Sequence, residues 1–189
     1  MGSICGVNVY SALGDTDCVI KSIDIGDTDI LINMGTGSQV ITNKERISHI
    51  PSGRSFMIFY YFFENMGIDM FDMMKSIKVE DILKSNLKIN LNMFPESFKY
   101  VEGGSISGIN EYNFTLKNIL SSILKEYVDQ YSEFISDHKQ IILTGGIPKK
   151  LKVIEQYFTK KYPNKNIMMD NISVENTHRG IAKFIEEFL

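Results

Sequence analysis

Ile30-Leu31-Ile32-Asn33-Met34-Gly35-Thr36-Gly37-Ser38-Gln39-Val40-Ile41 reads as two short apolar runs around a Gly-Thr-Gly-Ser turn. The pattern predicts strands over 29–34 and 39–42, joined as a hairpin. Glycines let a ligand come close to the backbone. A phosphate can then accept hydrogen bonds from several N–H groups and a hydroxyl together. A dinucleotide fingerprint does not fit, because G-x-G-x-x-G needs a third glycine and a following helix, whereas position 40 is Val and a strand comes next. A plain hairpin turn is the competing reading.

Working outward, a second glycine turn lies downstream at Leu143-Thr144-Gly145-Gly146-Ile147-Pro148. Here a strand over 140–143 leads into a helix from Pro148 to about Lys160, with Pro suited to the first turn. Without a β-carbon, a planar base can lie against such a backbone, and the helix start offers N–H dipoles. An ordinary strand-to-helix turn would look the same. Upstream, Gly14-Asp15 lies between a short strand over 7–13 and a short helix over 16–23. A carboxylate there can orient a hydroxyl and accept its proton, or it can simply cap a turn. An acid, a phosphate cradle and a second glycine turn, in that order, point to the nucleotide-binding half of a phosphoryl-transfer enzyme.

The remaining pattern fills in a single α/β domain. Ser52-Gly53-Arg54 breaks the pattern, and Phe56 to Met66, apolar and aromatic and ending at Gly67, reads as core-packing helix. Residues 79–85 read as a short helix, 87–91 as a half-buried strand and 103–108 as a small-residue turn. The clearest helix runs from Thr115 to about Ser136, with apolar residues at i, i+3, i+4 spacing and Asn113 or Thr115 as cap. A strand over 166–169 and a helix over 174–188 close the chain. This order predicts a central mixed sheet, its first strands antiparallel and its last two parallel, with the 115–136 helix on one face.

Composition narrows the function. The 189 residues are 43% hydrophobic and 23% charged, enough for a real core. A net charge of −3 argues against a nucleic-acid partner. Cys5 and Cys18 have no zinc spacing and are expected as free thiols in a reducing cytoplasm. His49, His138 and His178 are scattered, and Glu175 with His178 is too little for a metal site. No apolar run reaches about 20 residues, so no membrane span is expected. No signal peptide is expected either.

Taken together, four stretches resemble the C-terminal lobe of the FGGY carbohydrate kinases, in the actin, hexokinase and Hsp70 superfamily with its ribonuclease H-like fold. They are Ala12-Leu13-Gly14-Asp15, Leu31 to Val40, Gly104-Ser105-Ile106-Ser107-Gly108-Ile109 with Asn113-Phe114-Thr115, and Thr144-Gly145-Gly146-Ile147-Pro148. The look is nearest to sedoheptulokinase-type members and covers essentially residues 1–189 as one lobe. The N-terminal lobe, with most sugar contacts, has no counterpart here. The resemblance implies Asp15 as the general base. It implies Gly35, Thr36, Gly37 and Ser38 around the β- and γ-phosphates, and Gly145 and Gly146 at the adenosine. It implies ATP or ADP with Mg²⁺, which would touch this lobe only through Asp15. The partners it implies are a sugar and an N-terminal lobe, with a homodimer as a further outcome if an apolar face is left uncovered. Departures are visible too. Asp15 is followed by Thr16-Asp17 where the family has Asn-Gln. Lys149-Lys150 stand where Asn is common. Glu102-Gly103 stand where an Arg usually precedes Gly-Ser. Thr177-His178-Arg179 replace small residues before Gly180. A degenerate lobe with a binding or dimerisation role is therefore the alternative.

Overall fold

Ile30, Leu31 and Ile32 are all completely buried. Successive strand residues face opposite ways, so this strand is covered on both faces and must be central. The computed structural model describes residues 2–4, 7–9, 14–50, 52–93, 103–170 and 176–187. They form two compact units, 26–171 and a terminal unit from 1–25 and 172–189.

The terminal unit begins with two antiparallel strands, β1 (Gly2–Ile4) and β2 (Val7–Val9). Helix α1 (Asp15–Ser22) comes after them. The rest of the expected first strand, 10–13, lies outside the described residues, as do Cys5 and Glu175.

The central unit is built on β3 (Asp29–Asn33), β4 (Ser38–Ile41) and β5 (Arg46–Ile50), a continuous antiparallel run. Helices α2 (Ser52–Asn65), α3 (Met70–Lys75) and α4 (Val79–Lys84) come next. A separate small sheet pairs β6 (Lys88–Asn90) with β7 (Ser105–Ser107). Then come α5 (Leu116–Asp129), α6 (Ser132–Ile135), β8 (Gln140–Thr144), α7 (Gly146–Lys150), α8 (Lys152–Lys161) and β9 (Asn166–Met169). The main sheet has the order β5-β4-β3-β8-β9. Strands β8 and β9 run parallel to β3, so the expected change from antiparallel to parallel is present. On one face Ile30, Ile32, Ile141 and Leu143 share a core with Ile123, Leu124, Tyr127 and Val128 of α5. The Phe56 ring of α2 lies 4.9 Å from that of Tyr127. Ser55, also buried, donates its hydroxyl to the Leu91 carbonyl.

The last helix, α9 (Asn176–Glu186), belongs to the terminal unit. A β-carbon on Gly180 would stand 2.0 Å from the Cys18 carbonyl oxygen, so α9 meets α1 backbone to backbone. Arg179 donates to the Ser22 carbonyl at 2.7 Å, which satisfies an end carbonyl of α1. Lys21 pairs with Glu187 at 2.7 Å. Cys18 is a buried free thiol.

Four local expectations change. The 103–108 stretch is no turn, because Ser105-Ile106-Ser107 alternates as a strand against β6. There Gly104 is needed, since its β-carbon would meet the Asn90 carbonyl oxygen at 2.9 Å. The 115–136 helix is two helices, broken where the Tyr131 amide bonds the Val128 carbonyl only three residues back. Thr115 is its cap, accepting from the Asn118 amide, while Asn113 braces the preceding loop through the Asn110 amide and the Gly108 carbonyl. The helix after Pro148 starts earlier, at Gly146, and is interrupted at Leu151, whose backbone leaves the helical region. Ser52-Gly53-Arg54 is no break but the first turn of α2.

Candidate functional site

Asn33 and Thr144 are the last residues of two neighbouring parallel strands, β3 and β8, paired in register. The loops leaving them emerge side by side at the carboxyl edge of the sheet, where ligands of open α/β sheets bind. Those loops are the two glycine turns. The Met34 amide donates to the Thr144 carbonyl at 2.8 Å, and the Ile147 amide returns to the Met34 carbonyl at 3.3 Å. Gly145 has a φ of +104°, in the region that favours glycine. A β-carbon there would stand 2.5 Å from the Met34 carbonyl oxygen and 2.9 Å from Asn33 Oδ1. The two turns are therefore pressed together, and only glycine permits it.

The outward side is open. β-Carbons on Gly35, Gly37 and Gly146 would meet nothing within 4 Å. Thr36, Gly37 and Gly146 are exposed, and Gly35 and Gly145 are half-buried. Ser38 differs. It is completely buried, and its hydroxyl donates to the Gly35 carbonyl at 3.0 Å, closing the turn on itself. Thr36 thus carries the outward hydroxyl of this loop. The fit to a phosphate-bearing ligand rests on the open space over Gly35, Gly37 and Gly146, where a β-carbon would meet nothing within 4 Å.

Three residues beyond the glycines and Ser38 shape the site. Gly53 lies under the first turn, where a β-carbon would stand 1.8 Å from the Gly35 carbonyl oxygen. Asn33 lies beside Gly145. Asp170, buried at the end of β9, accepts from the Thr144 hydroxyl at 3.3 Å, and its amide donates to the Leu143 carbonyl at 2.9 Å. Asp170 was findable in the sequence as an acid ending a parallel strand beside a glycine turn. Gly53 carried no such signal, because its role depends on which backbone crosses it.

Asp15 is the first residue of α1, after Gly14 in extended conformation, and belongs to the terminal unit. Among the described residues no group of three or more His, Cys, Asp or Glu side chains could hold a metal ion. No helix among them is long and apolar enough to cross a membrane.

The five-stranded mixed sheet with its helices has the architecture of one lobe of the actin-like ATPase fold. Solved structures similar to the chain include two xylulose kinases. Ligand-bound xylulose kinase from Lactobacillus acidophilus superposes with a TM-score of 0.67 at 13% identity, covering 92% of this chain and 41% of that one. Xylulose kinase from Bifidobacterium adolescentis gives a TM-score of 0.59 at 12% identity, covering 93% and 40%. At such identities the likeness is one of fold, and this chain spans about 40% of the length of those kinases. No protein-family model matches the chain. No curated protein matches it.

Proposed function

We propose that the chain is the ATP-binding half of an FGGY-type carbohydrate kinase, which phosphorylates a sugar hydroxyl when an N-terminal lobe completes the cleft. The observation that carries this reading is the abutment of the Gly35–Ser38 and Gly145-Gly146 turns, with open space over Gly35, Gly37 and Gly146. The fold likeness to two xylulose kinases supports it. In this reading the amides of 35–38 and the Thr36 hydroxyl hold the β- and γ-phosphates. Gly145 and Gly146 carry the adenosine, and Asp15 orients the sugar hydroxyl and takes its proton. Mg²⁺, when bound with the nucleotide, neutralises charge on the phosphates. The residues that choose the sugar lie mostly outside this chain, so the proposal extends to no single sugar.

A titration of ADP with Mg²⁺, followed through amide resonances, tests it. Shifts are expected at 35–38 and 144–147, with affinity around millimolar because a half-cleft buries little of the ligand. Gly146→Val should weaken binding by occupying the place of the base, and Asp15→Ala should leave it nearly intact. Shifts confined to other surfaces would overturn the reading.

A further inference from the structure

We propose that Tyr127 is a positioning residue of the glycine-turn site, its buried hydroxyl donating to Ser38 Oγ when a phosphate engages the turn. The inference rests on the nucleotide reading and adds to it a residue from α5. Tyr127 is completely buried, and its hydroxyl has no hydrogen-bond partner among the described residues. Such an orphan costs stability, and a Phe would fill the same space without it. Ser38 is the acceptor that accounts for it. Ser38 and Val40 lie two residues apart on β4 and share one face, and Val40 packs in the same core as Phe56 and Tyr127. Gly53 closes on Ser38 from α2, where a β-carbon would stand 2.5 Å from Oγ. Tyr127 approaches from α5. Burial pushes its phenol well above the ordinary tyrosine value, and the Ser38 hydroxyl offsets part of that rise. The phenol therefore keeps its proton and remains a donor at neutral pH.

Ser38 gives its hydrogen to the Gly35 carbonyl at 3.0 Å, and the lone pairs of Oγ are left to accept. That bond sets the direction of an amide as well as the shape of the turn. The Gly35 carbonyl points at Ser38 Oγ and at Gly53, toward α2. In a trans peptide the carbonyl and the following N–H point opposite ways, so the Thr36 amide is turned away from α2. An anion on that amide polarises the peptide and makes the Gly35 carbonyl a stronger acceptor. Ser38 Oγ then becomes a better acceptor in turn, because hydrogen bonds in a chain reinforce one another. A Tyr127 hydroxyl donating to Oγ also keeps Ser38 from turning its hydrogen toward α5 and releasing Gly35. The Tyr127 ring is set in place by packing, with the Phe56 ring at 4.9 Å and the Tyr131 ring at 6.1 Å.

Tyr127→Phe removes the donor and keeps the packing. ADP with Mg²⁺, titrated into the full chain and followed by amide resonances, should bind this variant about threefold to tenfold more weakly than the parent, as loss of one hydrogen bond implies. Urea unfolding should find the variant at least as stable as the parent, because an orphaned hydroxyl is gone; a merely structural role predicts the reverse. In a Ser38→Ala chain the same substitution should change ADP binding by less than about twofold, since both residues act through one bond. The parent chain gives a further readout without any substitution, as the Tyr127 hydroxyl proton resonance should move downfield when ADP is added. Equal ADP affinity in parent and Tyr127→Phe, equal loss with and without the Ser38 hydroxyl, or a Tyr127 hydroxyl resonance that ADP leaves in place would overturn the proposal. The ADP shifts at 35–38 in the parent test the nucleotide reading by themselves, so ADP binding that ignores Tyr127 sinks this inference alone.

Discussion

A β-carbon on Gly53 would stand 2.5 Å from Ser38 Oγ as well as 1.8 Å from the Gly35 carbonyl oxygen, and both neighbours are fixed. The carbonyl is backbone, and the hydroxyl is bonded to that same carbonyl. Gly53→Ala must therefore push α2 off the first glycine turn. The expected cost is about 1–3 kcal/mol, the range for overpacking a tight contact, together with loss of ADP binding. Gly37→Ala makes the opposite prediction, because its β-carbon would project into open space. Stability should stay within about 0.5 kcal/mol, as for most exposed substitutions, while ADP binding weakens because the methyl stands where phosphate would lie. Urea unfolding and the ADP titration, run on both variants, separate the two effects. If Gly37→Ala binds ADP as well as the parent chain, the cradle is not where the phosphates go. At this scale the Gly-Thr-Gly-Ser spacing marked Gly35 and Gly37, and the structure leaves open space over both. It could not show which glycine supports the turn from beneath.

Helices α5 and α8 are joined at Asp129. Its carboxylate accepts from Lys125 on its own helix, from Lys161 on α8, and from the Tyr157 hydroxyl at 3.2 Å. Burial alone would raise this carboxyl, but the two lysines together hold it below the ordinary aspartate value. Tyr157 is pushed up, by burial first and then by the charge of Asp129. A carboxyl depressed on folding contributes stability above its unfolded pKa of about 3.9, and that contribution is lost as pH falls through the folded value. Asp129→Asn should therefore cost about 1–2 kcal/mol near neutrality, discounted for partial exposure. The gap between variant and parent should close below about pH 4. Glu126 is raised by burial and, in smaller part, by the charge of Asp129, so removing that charge eases Glu126 and trims the gap at neutrality. Thermal unfolding from pH 3 to 7 checks this; a gap that grows on acidification would contradict it. Elements of this kind were partly legible. Strong periodicity placed α5, and the Asn166–Met169 strand came out with its observed bounds. The breaks at Tyr131 and Leu151 were invisible, because apolar spacing runs on through a single irregular residue. Strand β5 and helix α3 passed unread, because Arg46-Ile47-Ser48-His49-Ile50 and Met70-Phe71-Asp72-Met73-Met74-Lys75 are too short for periodicity to stand out from loop.

Across the whole molecule, the hairpin and the strand-helix-strand order specified the sheet, because a crossover between parallel strands leaves few arrangements for five strands. Chemistry at this scale was less legible, since the proposed function would draw on groups from both sides of a cleft. If the proposed function holds, the 189-residue chain with ATP and Mg²⁺ phosphorylates no sugar alone, although ADP still moves the glycine-turn resonances. Pairing it with the N-terminal lobe of a sugar kinase whose own C-terminal lobe has been removed should give ATP-dependent, sugar-dependent ADP release. Asp15→Asn should then reduce that release by about 10²–10⁴-fold, the range for loss of a general base, with ADP binding unchanged. Coupled ADP assay and amide titration on the same samples check both halves of the statement. The Thr16-Asp17 pair after Asp15 makes the outcome open to a specific failure. A complex that forms and binds ADP but turns over nothing, with Thr16→Asn/Asp17→Gln restoring turnover, would identify this lobe as one that kept its nucleotide site and lost its substrate contact. No turnover in either version, with ADP still bound, would favour the non-catalytic lobe.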